Sequence, residues 1–357
     1  MVSKIRAAVF FGGPSVEHEV SVITAMQAIQ ALDKNRYDVI PVYTTKTGDL
    51  YTGAHLADLE SYRNIPEALK TAKKVVLTKE GNQVQLVLAR QKRFGSSVVS
   101  CVDVALPIFH GTGGEDGTMQ GLLEIAGIPY VGCKVLASAA CMDKDVCHTL
   151  LKGAGIPQVK WLRFFRGNTD YSEAEKAVET ELGWPVFVKP ANAGSSVGIS
   201  KVKSKEMLKE AMELAFEHDV KIIIEEAVLN PVEVECAVLG NDELLVGGPG
   251  EIVPADEFYS YDAKYFNDES ETFLKARIDE KVAEEIRETA KKAYKVLGCA
   301  GLTRVDFLID GDSGKIVLNE PNTLPGFTNI SMYPKLIMST GMSYSELIDK
   351  LLELAQE

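Results

Sequence analysis

Residues 304–331 read RVDFLIDGDSGKIVLNEPNTLPGFTNIS, and this stretch decides which fold the rest of the chain can adopt. It predicts two short strands, TRVDFLI and KIVLNEP, joined by the turn-rich segment DGDSGK. Asp306 lies on the first strand, and Glu320 and Asn322 lie at the end of the second. If the strands pair, three oxygen ligands converge beside Arg304, which suits Mg²⁺ carrying a nucleotide phosphate. Taken alone, the stretch is equally compatible with a hairpin whose polar residues are only solvated.

The composition is that of a globular protein with two or three domains. The chain has 357 residues, of which 46% are hydrophobic and 25% are charged. Its net charge of −13 argues against a nucleic-acid or acidic-membrane partner. No apolar run approaches the roughly 18 residues of a membrane span, and the N-terminus lacks a secretory pattern, so we expect no membrane insertion. Six scattered cysteines without a C-x-x-C pair predict reduced, mostly buried thiols in the cytoplasm.

The first 140 residues predict a parallel α/β layer. A strand at 5–11 leads into the loop GGPSVEHEVS, a helix and a second strand, YDVIPVY. The loop lies at the carboxyl end of its strand, where open α/β sheets bind ligands, although Glu17 there would also suit the helix dipole. A later strand leads into His110 and the run HGTGGEDGTMQG, whose glycines predict close approach of backbone to a ligand. Residues 45–97 carry no motif and predict only edge strands and connections.

The middle of the chain predicts a phosphate-binding hairpin. One helix, SAACMDKDVCHTLLKGAG, carries Lys144 in its first half. The segment WPVFVKPANAGSSVGISKV predicts a strand ending at Lys189, a Gly/Ser loop and a second strand. Free N–H groups in such a loop can close over phosphates, with an ordinary mobile hairpin as the alternative. The strand VKIIIEEAV ends at Glu225 and Glu226, where backbone groups beside acids suit an adenine edge and ribose hydroxyls.

The last third predicts an antiparallel sheet, a lid and a final helix. The segments VEVECAVLG and LLVGGPGEIVP have the alternating pattern of strands in an antiparallel sheet. The Tyr-rich loop at 257–271, which contains Lys264 and Tyr265, is too long for a simple turn and predicts a lid. A helix at 280–298 follows, and the chain ends in the amphipathic helix YSELIDKLLELAQ.

Taken in order, these motifs resemble the ATP-grasp superfamily, and within it the D-alanine–D-alanine ligases of peptidoglycan synthesis. The resemblance rests on eight strings: FGGPSVEHEVS, HGTGGEDGTMQG, CMDKD, KPANAGSSVGIS, IIIEE with VEVECAVLG, FYSYDAKY, GLTRVDF and NEPNTLPGFTNISMYP. It implies an architecture of α/β and α+β parts. An N-terminal parallel α/β domain (1–140) would be followed by two α+β subdomains, 141–228 and 229–357, that sandwich ATP.

The resemblance also implies a role for individual residues. ATP would be held by Lys144, Lys189, Ser196, Glu225, Glu226, Ala227, Val228, Glu233 and Lys264. The segment NPVEVE is one residue longer than the family's usual form, so Glu233 matches the family's ribose-holding acid less closely than the other residues match theirs. Two Mg²⁺ (or Mn²⁺) ions would be held by Asp306, Glu320 and Asn322, with K⁺ as a further candidate ion. The catalytic set would be Glu17, Ser195, Tyr265, Arg304 and Gly326. The amino acids would be bound by Glu17, Val20, His110, Ser331 and Met332.

The implied activity is ATP-dependent ligation of two D-alanines by a cytoplasmic, typically homodimeric enzyme. A carboxylate and an ammonium form a salt and not an amide, so the carboxylate must first be phosphorylated; D-alanyl phosphate and a tetrahedral intermediate follow. D-alanine–D-serine ligation is the alternative. D-lactate ligases resemble this chain less, because they carry His at the position of Tyr265 and Arg at that of Met332. A regulatory module that had lost catalysis would lack a metal ligand, a phosphate lysine or Arg304, and all are present.

Overall fold

Three sheets, one in each predicted part of the chain, organise the fold of the computed structural model, which describes residues 3–90, 92, 95–194, 196–253 and 271–357. The predicted lid, with Lys264 and Tyr265, lies outside the described residues except for its last position, and so does Ser195. The strands are β1 (Ile5–Gly12), β2 (Tyr37–Thr44), β3 (Leu50–Thr52), β4 (Lys73–Glu80), β5 (Gln83–Leu88), β6 (Val98–Val102), β7 (Val104–Ile108), β8 (Trp161–Phe165), β9 (Val186–Pro190), β10 (Ser200–Val202), β11 (Lys221–Glu226), β12 (Val232–Gly240), β13 (Leu245–Val253), β14 (Glu271–Phe273), β15 (Gly301–Ile309) and β16 (Ile316–Asn322).

The helices that cover these sheets follow the predicted order. They are α1 (His18–Ala31), α2 (Ile65–Thr71), α3 (Thr118–Ala126), α4 (Val135–Met142), α5 (Lys144–Gly153), α6 (Tyr171–Ala177), α7 (Leu208–His218), α8 (Glu280–Val296), α9 (Met332–Met338) and α10 (Tyr344–Leu354). Among the described residues, no helix combines the length and the apolar character needed to cross a membrane.

The first sheet has the order β6-β5-β4-β3-β2-β1-β7, and β1 pairs in parallel with both β2 and β7. Residues 7–11 of β1 are fully buried, as expected for a strand covered on both faces. The strands between β2 and β7 pair antiparallel and extend the sheet, which confirms the prediction of edge strands for 45–97. The carboxyl ends of β1 and β7 therefore lie side by side and deliver Gly12 and His110 to one edge.

The other two sheets are antiparallel. The second has the order β10-β9-β11-β8, and the third has the order β14-β13-β12-β15-β16. The predicted hairpin of the opening stretch is confirmed, because β15 and β16 are antiparallel neighbours. In β15 the side chains alternate between buried and half-buried, so one face enters the core and the other faces the site.

The helix predicted to run unbroken through Lys144 is wrong, because the chain forms two helices that meet at Asp143. This residue has an extended backbone and accepts a hydrogen bond from Val146 N at 3.1 Å, as an N-cap aspartate does. Its carboxylate is also paired with Lys221 Nζ at 2.6 Å. The cap and the ion pair stop α4 and start α5, so that Lys144 occupies the first position of a helix.

The C-terminal helix α10 belongs to the core of the first sheet. A capping box of Ser343 and Glu346 starts the helix, and its apolar face shares one cluster with the N-terminal strands and α1. Arg36 after α1 also binds Asp349 on α10 at 2.8 Å. The two ends of the chain are thus packed together. Five of the six cysteines are buried and all are free, in agreement with the prediction of reduced thiols.

Candidate active site

The β15–β16 hairpin brings four polar side chains onto one face. In the register of the two strands Arg304 lies opposite Asn322, and Asp306 lies opposite Glu320. Positions two apart on a strand share a face, so all four point the same way. A bulge after Asp306 shifts the pairing from that point toward the turn, which keeps the hairpin's apolar residues in the core. The predicted metal ligands, Asp306, Glu320 and Asn322, therefore lie next to Arg304, the predicted oxyanion donor.

Arg304 is held by two carboxylates. Its Nε and Nη2 donate to the two oxygens of Asp306 at 2.8 and 2.7 Å, and Nε lies 3.2 Å from Glu235 Oε2. Burial opposes the guanidinium charge, but Asp306 and Glu235 outweigh it and raise the pKa of Arg304. The side chain is thus a fixed, permanently charged donor at the centre of the site.

The donor set suits a hard divalent cation that also binds substrate. Within the described segments, no group of three or more His, Cys, Asp or Glu side chains is arranged for a metal ion. On the hairpin face the protein would supply two carboxylates and the amide oxygen of Asn322. Asp306 also accepts from Asn322 Nδ2 at 2.9 Å, yet a carboxylate has about four lone-pair sites and can serve a metal ion as well. Mg²⁺ binds in this way, using few protein carboxylates together with phosphate oxygens.

Lys144 connects the hairpin with the glycine loop. Its Nζ donates to the carbonyl of Ala193 at 2.8 Å and lies 3.9 Å from Glu320 Oε2, while its backbone N–H donates to Ala191 O at 3.0 Å. Because the side chain is only 13% exposed, its charge lies inside the cleft between the second and third sheets. A cation placed here can reach an anionic group held above the hairpin.

Lys189 belongs to a buried network that the sequence did not predict. Its Nζ lies 2.6 Å from one oxygen of Glu225, whose other oxygen lies 2.8 Å from Nε2 of His148. The His148 ring stacks on Trp161 with centroids 4.8 Å apart. Although burial alone would raise the pKa of Glu225, Lys189 and His148 outweigh it and lower that pKa. Glu225 therefore anchors Lys189 through its side chain, while its reading of adenine stays a prediction.

We expect Glu225→Gln to lower the free energy of unfolding by about 3 kcal/mol, because it leaves the buried Lys189 charge unpaired. Lys189→Met is the matched control, and the double variant should lose less than the sum of the two single losses. Since the pKa of Glu225 is lowered by folding, its contribution is complete above the ordinary carboxylate range and disappears as pH falls through the folded-state pKa. Urea unfolding against pH measures all three variants; strict additivity would contradict the coupling.

Three loops meet around Glu17. A Cβ built on Gly111, which has φ +68°, would lie 3.1 Å from Glu17 Oε2, and one built on Gly194 would lie 3.6 Å from Gly111 Cα. The glycine loop of the second sheet therefore packs against the two glycine-rich loops of the first. Such close contact is possible because glycine has no side chain. Glu115 lies in the same loop as Gly111, and burial together with the neighbouring Glu17 raises its pKa to about 8.

The remaining predicted residues lie at the end of β11, on β12, on α1 and in the glycine loop. Glu226 accepts a hydrogen bond from Lys160 N at 3.1 Å, and Ala227 N donates to Pro185 O at 3.2 Å at the end of β11, where Val228 follows. Glu233 lies on β12, and its charge acts on Lys189. Half-buried Val20 lies on α1, and Ser196 has a positive φ in the glycine loop.

The loop after β16 carries the predicted second amino-acid site. A Cβ on Gly326 would lie 3.1 Å from the Ser331 hydroxyl, which also contacts the Thr328 hydroxyl at 2.7 Å. Met332 is 7% exposed and packs against Gly250 in the core. Its side chain therefore lies in the core next to Ser331 in the chain, and its contact with substrate stays a prediction.

Sequence reasoning missed Glu115, Glu235 and His148. Glu115 lies in the glycine run that the sequence singled out, so its acidic pair was the available signal. Glu235 and His148 had none, because each matters only through a partner far away in the chain.

Comparison with known proteins assigns the family. Residues 6–133 match the model of the D-ala D-ala ligase N-terminus, and residues 150–353 match that of the C-terminus. A D-alanine--D-alanine ligase of Caldicellulosiruptor bescii is 47% identical, covering 100% of this chain and 96% of its own length. D-alanine--D-alanine ligase A of Salmonella typhimurium is 45% identical over 100% of this chain and 97% of its own.

Solved structures of this kind have the same fold. The VanG D-Ala:D-Ser ligase of Enterococcus faecalis superposes with a TM-score of 0.85 at 41% identity, covering 99% of this chain and 100% of that one. The D-alanine-D-alanine ligase of Coxiella burnetii gives 0.84 at 32% identity, covering 99% and 94%. Since both halves of the family model and full-length relatives agree with the sequence motifs, this chain belongs to the D-alanine–D-alanine ligase family.

Proposed function

We propose that this protein joins two D-alanines to D-alanyl-D-alanine at the expense of ATP. The observation that carries the proposal is the single polar face of the β15–β16 hairpin. There Arg304 contacts Asp306, these two residues lie opposite Asn322 and Glu320, and Lys144 Nζ lies 3.9 Å from Glu320. Such a face combines the groups that phosphoryl transfer and acyl transfer each require.

In the first step the carboxylate of one D-alanine attacks the γ-phosphorus of ATP, and ADP leaves. Lys144 and Lys189 would hold the phosphates in line, and Glu17 would hold the ammonium of the amino acid. A divalent ion bound by Asp306, Glu320 and Asn322 would neutralise charge on the phosphoryl oxygens. The product of the step is D-alanyl phosphate.

In the second step the amine of the other D-alanine attacks the acyl carbon. Arg304 and the N–H of Gly326 would stabilise the oxyanion that develops, and phosphate then leaves. Ser331 and Met332 would bind the incoming amino acid. Tyr265, Ser195 and Lys264 complete the predicted set from residues that the structure does not describe.

Further properties of the protein are part of the same proposal. We expect Mg²⁺ or Mn²⁺ at two metal positions, K⁺ as an activating ion, a homodimer and a cytoplasmic location. The three predicted parts, 1–140, 141–228 and 229–357, would act as an N-terminal domain and two subdomains that enclose ATP. The sequence ranges of the three sheets support this division.

D-alanine–D-serine ligation is the second candidate, favoured by the similarity to the D-Ala:D-Ser ligase of Enterococcus faecalis. Residue 332 bears on the choice, because a buried, apolar Met beside Ser331 would suit the methyl group of D-alanine better than a hydroxymethyl group. The predicted order of preference is D-alanine, then D-serine, then D-lactate.

Product analysis tests the proposal directly. We expect purified protein, given ATP, Mg²⁺ and an equimolar mixture of D-alanine, D-serine and D-lactate, to form D-alanyl-D-alanine as the main product by mass spectrometry. Reactions without ATP and with L-alanine are the controls. A dominant mixed product would replace the dipeptide assignment, and ADP release that did not depend on D-alanine would contradict the ligase assignment.

A further inference from the structure

His110 contacts the loop that is predicted to bind the second amino acid. It directly follows β7 and Phe109, and its side chain contacts the loop after β16, since Nδ1 lies 3.2 Å from the carbonyl of Leu324. Leu324 is two residues before Gly326, the predicted oxyanion donor. The charge of Glu17 also acts on the imidazole. The ring thus contacts the loop that would receive the second amino acid and lies within electrostatic reach of the proposed holder of the first ammonium.

The hydrogen bond to Leu324 fixes the tautomer of the ring. A carbonyl oxygen can only accept, so Nδ1 carries the proton and Nε2 of the neutral ring presents a lone pair. Nε2 is buried and has no hydrogen-bond partner among the described residues. A buried acceptor of this kind costs free energy unless something fills it, which makes it a candidate for contact with substrate.

The surroundings keep the imidazole neutral. His110 lines a small, mostly apolar cavity together with Phe109, Leu324 and Phe327, and its exposed fraction is 5%. Burial lowers the pKa of His110, the Glu17 carboxylate opposes that shift, and the nearby Arg304 cation adds to it. Among the described residues, Glu17 and Arg304 are the charged groups that act on the ring. At neutral pH the ring is therefore a free base.

We propose that Nε2 of His110 is the base that takes the proton from the ammonium group of the second D-alanine. The inference rests on the proposed function, in which that amine must lose a proton before it can attack. One N–H bond of the ammonium breaks and its proton moves to Nε2, which leaves a neutral amine with a lone pair. The lone pair forms the C–N bond to the acyl carbon, and the C–O bond to phosphate then breaks. The remaining extra proton on nitrogen leaves with phosphate, and the imidazolium releases its proton to solvent.

The test compares two nucleophiles. Hydroxylamine is uncharged at neutral pH, so it traps D-alanyl phosphate as a hydroxamate without needing a base. His110→Asn removes the base while keeping an amide that can donate to Leu324 O. We expect the variant to lose about 10²–10⁴-fold in kcat for the dipeptide at pH 7, as for other general bases, and to lose far less in hydroxamate formation. Raising the pH should reduce the dipeptide deficit, because free amine becomes available.

Three outcomes would overturn the assignment: a parallel loss of dipeptide and hydroxamate, an unchanged dipeptide rate, or a change confined to the KM for the second D-alanine. If the variant does not fold, the wild-type pH profiles decide: at a constant concentration of unprotonated hydroxylamine, only the dipeptide rate should fall as His110 is protonated. Matching profiles for the two nucleophiles would exclude the base. Failure of the proposed function looks different, since wild-type protein would then form neither dipeptide nor hydroxamate.

Discussion

We expect Arg304→Ala to lower kcat for dipeptide formation by about 10²–10³-fold, the usual effect of removing one oxyanion donor, while ATP affinity changes far less. The reason is positional, because the guanidinium lies on the hairpin face and contacts Asp306 without touching Lys144 or Lys189 among the contacts described. Steady-state kinetics and calorimetric titration with ATP measure the two effects separately. Collapse of ATP binding with normal turnover at saturating ATP would contradict the oxyanion role.

The Arg304 variant needs two controls. Removing the guanidinium takes a charge partner away from Glu235, which is 5% exposed, and loss of a partner for a buried charge destabilises a protein. Arg304→Ala combined with Glu235→Gln relieves that charge, and its kcat should stay low if the loss is catalytic. Arg36→Ala removes an arginine that pairs with Asp349 and Glu353 outside the site and should keep normal turnover.

The second large effect is expected for Asp306→Asn. A neutral amide in place of the carboxylate removes a charged metal ligand, and the lost charge stabilisation of several kcal/mol corresponds to a fall of about 10²-fold or more in kcat. Binding of Mn²⁺ in the presence of ADP, followed by electron paramagnetic resonance, provides a readout that does not depend on turnover. We expect weaker Mn²⁺ binding in the variant.

Asp312→Asn is the matched control for Asp306. This aspartate lies in the turn of the same hairpin and contacts Asn230 at 3.3 Å. It should keep both Mn²⁺ binding and activity. Equal Mn²⁺ binding in Asp306→Asn and wild type would remove Asp306 from the metal site, whatever the effect on turnover.

The sequence predicted the hairpin, the parallel start of the first sheet and the edge strands because each follows from a local pattern. Alternation in TRVDFLI and KIVLNEP puts Asp306 and Glu320 on one face once the strands pair, and the turn DGDSGK makes that pairing the simplest choice. The unbroken helix failed for a different reason. Asp143 can occupy a helix interior or cap a helix, and its ion pair with Lys221, far away in the chain, favours the cap.

Long-range contacts explain the rest of what the sequence could not predict. The packing of α10 on the first sheet joins residues more than 300 positions apart, as in the pair of Arg36 and Asp349. The network of Lys189, Glu225 and His148 unites two strands and a helix, and no spacing within any one segment announces it. The family resemblance gave each motif a role, but it did not include the partners that hold these side chains in place.

The contact between Arg304 and Asp306 has a consequence for the fate of the reactive intermediate. The two residues are separated by a single strand position and their side chains touch at 2.7 Å. In the proposed reaction the group that activates the acyl carbon and the group that anchors phosphoryl transfer are therefore neighbours. D-alanyl phosphate would react where it forms, without migrating, and no open state would be needed between the half-reactions. Its loss to water would then depend on how promptly the second amino acid fills its site.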